Sequence, residues 1–477
     1  MRNMEAKFVV RFTFSTKSDL IAASLYIPLD SAQRFLTAMF HILWMLFSVL
    51  WCVSSSPPVF FSEFINRGKI SEARNRGRVK GHYCQMPESF SGYITVDNVA
   101  KKHVFFWFFP SKHNTSHSPL VIWLQGGPGR SSLEGLLWEN GPLQIVVGKM
   151  GSITCKPREI SWTNTTSMLY IDSPVGTGFS YVENKTVGYR LTRYDVPRDL
   201  TTFLKQFYKL FPEYKSRELY IGGEDYAAKY VISFAYRLHT QQKNVSTNLK
   251  GLYLSGPLFA PEIQFKSGLD LLFAVGAISY RELVSHRELA NSFFDNNRHD
   301  KINFDKILFK KLMHSFRLRN PPDNYASKSY NDYSAIASLI NGRLREYLNV
   351  GNNTFHFYNF TFSELLLQDF KFSSKYQLAE LLKFYKVLMF SGEFDALFSP
   401  SMVDFGMMST PWGSQQRFNE SEKREWKQKR TVVGNYVHVD RLCRVVIAGS
   451  GHYTSLDRPS STMDMMNQFI QKGCVGS

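Results

Sequence analysis

Two acids and a histidine lie at the ends of predicted strands, in an order that could support nucleophilic chemistry. Asp225 occurs in Leu219-Tyr-Ile-Gly-Gly-Glu-Asp-Tyr-Ala-Ala-Lys229, which predicts a strand, a sharp turn and a helix. Asp395 ends the segment that begins at Val387, and His452 follows the last predicted strand. A histidine oriented by an acid can take a proton from a third group, so this order indicates acyl-transfer chemistry centred on the turn at Asp225.

A glycine-rich turn follows the predicted strand Leu120–Leu124, in Gln125-Gly-Gly-Pro-Gly129, and Glu139-Asn-Gly-Pro142 comes shortly after it. Glycines let backbone N–H groups approach a ligand closely, which suits an oxyanion hole. A plain tight turn after a strand would need the same glycines, so both interpretations stay open for this turn alone. A further predicted strand with a glycine-rich turn lies within 164–181.

Short apolar runs alternate with amphipathic stretches from about residue 80 onward. The predicted strands are His103–Phe109, Leu120–Leu124, Met168–Ile171, Glu218–Ile221, Gly251–Leu254, Val387–Phe390 and Arg444–Ile447. Helical patterns such as Val196–Leu210 and Tyr226–Leu238 lie between them. Apolar runs that are almost continuous are expected when helices cover both faces of a sheet. The fold is therefore predicted to be α/β, with a mostly parallel, doubly wound sheet, and the order of turn residue, acid and histidine is that of the α/β-hydrolase fold.

The alternation stops between residues 262 and 385, where helical patterns dominate. These predicted helices are Leu269–Phe273, Tyr280–Phe294, Asp305–Phe316 and Tyr333–Leu348. A helical insertion above a parallel sheet commonly forms a lid or a substrate pocket. We therefore predict a core in two parts, 56–261 and 386–477, a helical cap at 262–385, and an N-terminal extension with a signal or anchor segment at 1–55.

The segment Phe35–Val53 is apolar apart from three residues, and Ser54, Ser55 and Ser56 follow it. Two interpretations compete: translation from Met39 with a short cleaved signal peptide, or translation from Met1 with a basic cytoplasmic tail before a signal anchor. We favour the cleaved signal, so a membrane contact is expected only through this segment. Seven Asn-x-Ser/Thr sites agree with a glycosylated protein that is secreted or lysosomal: Asn114, Asn164, Asn184, Asn244, Asn352, Asn359 and Asn419.

The chain is basic, with 57 Lys plus Arg against 40 Asp plus Glu and a formal charge of +17. No zinc-finger spacing or RNA-binding aromatic motif accompanies that charge, so a solvated basic surface is expected rather than a nucleic-acid partner. Cys52 lies in the N-terminal apolar segment. The other four cysteines, Cys84, Cys155, Cys443 and Cys474, allow three pairings, and free buried thiols stay an alternative. No Cys/His cluster points to a metal, and no cofactor is predicted.

The five segments taken together resemble, in order and over about residues 80–470, the serine carboxypeptidase family, and most closely its retinoid-inducible branch. The resemblance rests on Trp123-Leu-Gln-Gly-Gly-Pro-Gly129, Asp172-Ser-Pro-Val-Gly-Thr-Gly-Phe-Ser-Tyr181, Glu224-Asp-Tyr-Ala-Ala-Lys229 and the segments that hold Asp395 and His452. It implies an α/β-hydrolase that removes single residues from peptide C-termini, usually in acid.

Roles follow from the resemblance by position. Asp395 and His452 match the acid and the base of the family, and the N–H groups of Gly127 and Tyr226 match its oxyanion hole. The group that holds the carboxylate of the substrate is matched by Gln125, Gly126, Glu139 and Glu224. Two carboxyls held close together share a proton, so one of them can donate a hydrogen bond to a substrate carboxylate.

The pattern departs from the family at the nucleophile, because Asp225 stands where the family has serine. Ala227 and Ala228 replace paired glycines, Arg130 replaces Cys or Gly, and Tyr453-Thr-Ser455 replaces Met-Val-Pro. A carboxylate with an ordinary pKa near ~4 is ionised without help from His452 and attacks amides poorly. An ionised Asp225 is expected to repel the developing oxyanion, to fill its hole and to pair with a protonated His452.

Three hypotheses remain. In the first, the chain is catalytically impaired and binds peptide C-termini or an unknown protein partner. In the second, it is an active hydrolase of this family. In the third, it is a basic surface-binding protein on a hydrolase scaffold. The first is favoured because Asp225 replaces the serine, and the presence of Gln125, Glu139 and Glu224 favours peptide binding over a bare scaffold.

Overall fold

The computed structural model describes residues 7–15, 20–28, 57–80, 83–113, 117–148, 151–184, 194–241, 245–295, 306–308, 310–311, 314, 323–326, 333–359 and 366–476. The chain divides into two compact units, Met1–Ser55 and Ser56–Ser477. In the first unit, strands β1 (Lys7–Ser15) and β2 (Leu20–Pro28) pair antiparallel. The apolar segment Phe35–Val53 lies outside the described residues, so its role as signal or anchor stays a prediction. None of the helices in the described ranges combines the length and the apolar character needed to cross a bilayer.

An eleven-stranded sheet forms the centre of the second unit, in the order β13-β14-β15-β12-β11-β10-β5-β8-β4-β3, with β9 paired to β4. Its strands are β3 (Phe90–Asp97), β4 (Lys102–Phe109), β5 (Leu120–Leu124), β8 (Ser167–Ile171), β9 (Tyr181–Val182), β10 (Leu219–Glu224), β11 (Leu249–Ser255), β12 (Lys386–Gly392), β13 (Arg424–Gln428), β14 (Thr431–Val439) and β15 (Leu442–Ile447). Six central strands run parallel from β8 to β15, and the pairs toward both edges are antiparallel. Strands β6 (Leu143–Val147) and β7 (Ile153–Pro157) form a separate antiparallel pair.

All seven predicted strands are present, and the α/β-hydrolase prediction is confirmed. The sequence analysis missed β1, β2, β3, β6, β7, β9, β13 and β14. Strand β13 falls inside the basic run 423–430, where Trp426 is the fully buried side chain and charged neighbours face solvent. Charged residues are common on edge strands because they discourage pairing with another chain. Their sequence pattern resembles that of a surface loop, so β13 was not predicted.

Helices cover both faces of the sheet. They are α1 (Phe61–Asn66), α2 (Ile70–Gly77), α3 (Asp195–Leu210), α4 (Ala227–Thr240), α5 (Pro261–Ala274), α6 (Tyr280–Phe294), α7 (Tyr333–Asn341), α8 (Leu367–Phe370), α9 (Lys375–Leu381), α10 (Pro400–Met408), α11 (Gln415–Asn419), α12 (Thr454–Asp457) and α13 (Pro459–Lys472). Along β4, Phe106 and Phe108 pack into one hydrophobic cluster with α3 and α4, whereas Phe105 and Trp107 pack into a second cluster with α7 and α13. Because successive strand side chains point to opposite faces, the apolar run of β4 supplies both cores.

The described part of the region predicted as a cap is mainly helical, with non-helical stretches such as 349–359. Helix α6 has the predicted limits, Leu269–Phe273 lies inside the longer α5, and Tyr333–Leu348 divides into α7 and a 3₁₀ turn at Arg343–Tyr347. Six of the twelve residues in the predicted helix Asp305–Phe316 are described, and all six are helical. The domain limits stay a prediction.

Two disulfides settle the pairing that the sequence left open. Cys84 is bonded to Cys155 and Cys443 to Cys474, with Cα–Cα separations of 5.0 and 5.2 Å. The first ties the segment before β3 to β7, and the second ties β15 to the chain after α13. All four cysteines are buried.

Candidate active site

Asp225 is the apex of a tight turn between β10 and α4, as predicted. Its φ of +58° lies in the left-handed region, which is uncommon for a residue with a side chain. Hydrogen bonds hold the backbone on both sides: its N–H donates to the carbonyl of Ser255 at 2.9 Å, and its carbonyl accepts from the N–H of Leu258 at 3.1 Å. A Cβ on Gly126 would lie 2.5 Å from the carbonyl oxygen of Glu224, so only glycine allows the two turns to approach this closely.

The carboxylate of Asp225 occupies the predicted oxyanion hole. Its Oδ2 accepts the N–H of Gly127 at 3.0 Å, and the N–H of Tyr226 also bonds the carboxyl. Its Oδ1 is buried without a hydrogen-bond partner among the described residues. Burial raises the pKa of Asp225 to about 6, although the charge of His452 and the Gly127 N–H both favour the ionised form. The expectation of an ordinary pKa near ~4 is therefore wrong, because desolvation outweighs the favourable contacts.

Asp395 and His452 form the predicted acid–base pair. The Nδ1 of His452 lies 2.9 Å from Oδ2 of Asp395, whose Oδ1 accepts the N–H groups of Leu397 at 2.8 Å and Phe398 at 2.9 Å. Burial lowers the pKa of His452, but the charges of Asp395 and Glu224 and the hydrogen bond with Asp395 raise it well above 6.5. The imidazolium form is thus the stable one.

The expected direct ion pair between Asp225 and His452 is not formed. The ion pairs of His452 are those with Asp395 at 2.9 Å and with Glu224 at 3.9 Å. Asp225 acts on His452 only through its charge, because its carboxylate is directed to the N–H of Gly127.

Gln125, Glu139 and Glu224 come together as predicted. The Nε2 of Gln125 donates to Glu224 at 2.7 Å and to Glu139 at 3.3 Å, and its Oε1 accepts the indole N–H of Trp123 at 3.1 Å. The two carboxyls also share a hydrogen bond. Burial, followed by the charge of Glu134, raises the pKa of Glu139 to about 7. Burial, followed by the charge of Glu139, raises the pKa of Glu224 well above its usual range. At least one of the pair is therefore protonated in acid and can act as a donor.

Glu134 is a third buried carboxyl that the sequence analysis missed. Its Oε1 lies 2.8 Å from Nη2 of Arg130 and accepts the hydroxyl of Tyr453 at 3.0 Å. Burial raises the pKa of Glu134, and Arg130 and Tyr453 work against that rise. Arg130 and Tyr453 are two of the departures from the family pattern, and they meet on one acid. The spacing of four residues between Arg130 and Glu134 was the available signal.

Asp172 explains the second glycine-rich segment. It accepts the hydroxyl of Ser131 at 2.5 Å, the N–H of Ser132 at 3.0 Å and the N–H of Phe179 at 2.9 Å. Burial raises its pKa to about 7 in spite of these bonds. Asp172 thus links the turn after β8 to the turn after β5 and holds in place the loop of the predicted oxyanion hole.

Five of the seven predicted glycosylation sites lie in described residues. Asn184, Asn352 and Asn419 are exposed, and Asn164 is half-buried. Asn359 is also half-buried and donates its side-chain N–H to the carbonyl of Gly176 at 2.9 Å. Asn114 and Asn244 lie outside the described residues, and glycosylation of all seven stays a prediction.

Comparisons with known proteins agree with this geometry. The sequence model of the family described as serine carboxypeptidase matches residues 82–472. "Probable serine carboxypeptidase CPVL" of Pongo abelii is 32% identical over 442 residues, which covers 87% of this chain and 90% of that protein. "Venom serine carboxypeptidase" of Apis mellifera is 31% identical over 429 residues and covers 86% and 90%. The crystal structure of Kex1(delta)p, a prohormone-processing carboxypeptidase from Saccharomyces cerevisiae, aligns with a TM-score of 0.69 at 20% identity over 81% of this chain and 92% of that chain, a likeness of fold.

Proposed function

Since this chain belongs to the serine carboxypeptidase family, we propose that it is a member of the secretory pathway with impaired peptidase activity that binds peptide C-termini. The observation that carries the proposal is the hydrogen bond from the N–H of Gly127 to the carboxylate of Asp225 at 3.0 Å. That N–H belongs to the place where a reacting peptide would need its oxyanion stabilised.

Neither protonation state of Asp225 makes it a useful nucleophile. With a pKa of about 6 it is ionised at neutral pH, where it repels a developing oxyanion. In acid it is a neutral carboxylic acid, which attacks an amide less readily still. His452 is no help in either state, because its raised pKa favours an imidazolium that cannot accept a proton.

The binding half of the proposal is supported by the cluster of Gln125, Glu139 and Glu224. A protonated carboxyl and an amide N–H are donors, and a peptide C-terminus presents a carboxylate that accepts hydrogen bonds. Burial strengthens such bonds because few waters compete. As the pH rises through the pKa of Glu139, about 7, this carboxyl loses its proton, and its negative charge then repels a peptide carboxylate. We infer that binding is tightest in acid.

The secretory assignment is supported by two disulfides and by the exposed Asn184, Asn352 and Asn419. Disulfides persist in oxidising compartments and are rare in the cytosol.

Hydrolysis of blocked dipeptides at about pH 5 tests the impairment. The wild-type protein should release the terminal residue at close to the background rate. Asp225→Ser should raise release by at least about 100-fold, since a lost nucleophile costs far more than that in a well-studied serine protease. Asp225→Ala is the matched control, because it frees the oxyanion hole without supplying a hydroxyl. Robust release by the wild-type protein would reject the impairment and favour the active-hydrolase hypothesis.

Calorimetry tests the binding independently of catalysis. Short peptides and their C-terminal amides should differ in affinity by at least about tenfold at about pH 5, because the amide removes the charged acceptor. The difference should shrink at about pH 8, where Glu139 is ionised. Equal affinity for peptide and amide at both values would reject carboxylate binding.

A further inference from the structure

Three arginines line one surface cleft that shares no lining residue with the active site. The cleft has a volume of about 640 Å³ and lies between α2, β3, β4 and the turn after α3. Its arginines are Arg74, Arg78 and Arg217. None of the catalytic or carboxylate-binding roles described above uses this cleft.

The guanidinium groups lie on a floor of packed aromatic rings. The floor consists of Phe90, Phe108, Phe211 and Tyr214, whose neighbouring ring centroids are 5.0–6.4 Å apart. Arg217 lies 4.0 Å from the centroid of Tyr214, Arg74 4.6 Å from that of Phe211, and Arg78 5.5 Å from that of Phe90. Stacking on a ring holds a long side chain in one position, so an anion need not order three flexible arginines.

Two carboxylates lie beside the three arginines. Arg78 pairs with Glu88 at 2.8 Å, and Arg74 pairs with Glu213. Glu88 and Glu213 are 55% and 43% exposed, and exposed pairs of this kind are weak and screened by salt. The Nε of Arg217 donates to the carbonyl of Glu213 at 3.2 Å, which orients its guanidinium without neutralising it.

The chain that carries two of these arginines is itself strongly basic. Within 67–80 the cations are Arg67, Lys69, Arg74, Arg76, Arg78 and Lys80, and the acid is Glu72. All six cations are exposed except Arg74, which is half-buried. A concentration of one sign of charge around a cleft attracts ligands of the opposite sign. Part of the net charge of +17, which the peptidase fold does not explain, is therefore gathered at one place.

We propose that this arginine cleft binds the sulfate groups of a glycosaminoglycan chain. Planar guanidinium groups bind tetrahedral oxyanions through paired hydrogen bonds, and three of them along one cleft suit a ligand with repeated anionic groups. The disulfides favour a compartment where sulfated polysaccharides occur and nucleic acids do not. The cleft is independent of Asp225, so this proposal stands whether or not the peptidase is impaired.

Heparin binding under a salt gradient tests the proposal on the full chain. The triple variant Arg74→Gln, Arg78→Gln, Arg217→Gln should bind heparin at least about tenfold more weakly. The slope of log Kd against log[NaCl] should fall by about two, because fewer ion pairs form on binding and fewer counterions are released. The matched control is Lys427→Gln, Lys429→Gln and Arg430→Gln, which removes the same charge from another exposed basic run. The control should bind as the wild-type protein does.

A second triple variant, Arg→Lys at the same three positions, separates folding from binding. It keeps the charge, so its salt slope should equal that of the wild-type protein, while the loss of the guanidinium fork should weaken binding several-fold. An equal effect of the cleft and control Gln variants would overturn the proposal, because net charge alone would then explain binding. Competition by duplex DNA or anionic vesicles as strong as that by a heparin oligosaccharide of equal charge would overturn the choice of ligand.

Discussion

At the scale of single residues, the site is a group of carboxyls kept from water. Asp225, Glu134, Glu139 and Glu224 are all buried, and burial is the largest cause of the raised pKa of each. A raised pKa of an acid means that folding favours its protonated form. These carboxyls should therefore make the free energy of unfolding larger in acid than at neutral pH.

For Asp225 the sign and size of this effect can be stated. Its pKa in the folded protein, about 6, lies above the ordinary value of 3.8, so its contribution to stability is fully present below 3.8 and is lost as the pH rises through 6. Between about pH 4 and pH 7 the free energy of unfolding should fall by about 2 kcal/mol on this account. Asp225→Asn keeps the shape and the acceptor for the Gly127 N–H but does not titrate. Denaturant unfolding at both values should show a smaller fall for the variant, and equal falls would contradict the prediction.

Glu134 and Arg130 allow a second prediction at this scale. Arg130→Met should leave the buried Glu134 carboxylate with the hydrogen bond from the Tyr453 hydroxyl but without its positive charge, at a cost of about 3–5 kcal/mol at neutral pH. Arg130→Met combined with Glu134→Gln should be more stable than the single variant, because the uncompensated charge is gone. Denaturant unfolding of both proteins measures the difference. A double variant as unstable as the single one would show that packing, and not charge, holds this corner of the site.

At the scale of elements, the short helix α8 of the predicted cap is bonded to the start of α4, the helix that follows the Asp225 turn. Asp369 in α8 accepts the hydroxyl of Tyr226 at 2.6 Å and pairs with Lys229 at 3.2 Å. The next residue, Phe370, stacks on the ring of Tyr226 at 5.9 Å and packs edge-on against Phe265 at 5.2 Å. Tyr226, whose N–H belongs to the predicted oxyanion hole, is therefore positioned from the side of the predicted cap as well.

Removing this fastening should loosen the cap and leave the sheet unchanged. Asp369→Ala should speed amide hydrogen exchange in 366–374 by at least about tenfold, since a buried ion pair with hydrogen bonds is lost. Glu262→Gln is the matched control, because it breaks an exposed pair with Lys266 in cap helix α5 that contributes little. Exchange in β10 and β11 should stay the same in both variants. Faster exchange throughout the chain after Asp369→Ala would indicate global destabilisation instead.

How far the sequence predicts these elements depends on where their side chains go. Local composition predicts a buried strand at the apolar run Leu120–Leu124 and a sharp turn at Gly-Gly-Glu-Asp-Tyr. The structure contains both. Strand β13 was missed because solvent faces nearly all of its side chains. The contact of Glu134 with Tyr453 joins residues 319 positions apart, so no local pattern shows it.

At the scale of the whole molecule, two disulfides close large loops in a chain whose core is otherwise hydrophobic. Cys84–Cys155 spans 71 residues and Cys443–Cys474 spans 31. Replacing either pair by alanine should lower the free energy of unfolding by about 4 kcal/mol, because the unfolded chain regains loop entropy that grows only slowly with loop length. The losses for the two pairs should agree within about 1 kcal/mol despite their different spans. Reduction of both bonds in the wild-type protein should lower the free energy of unfolding by about the sum of the two losses. Denaturant unfolding with and without reductant measures both effects. A reductant that leaves the wild-type transition unchanged, while fresh thiols are counted by alkylation, would contradict a stabilising role for these bonds.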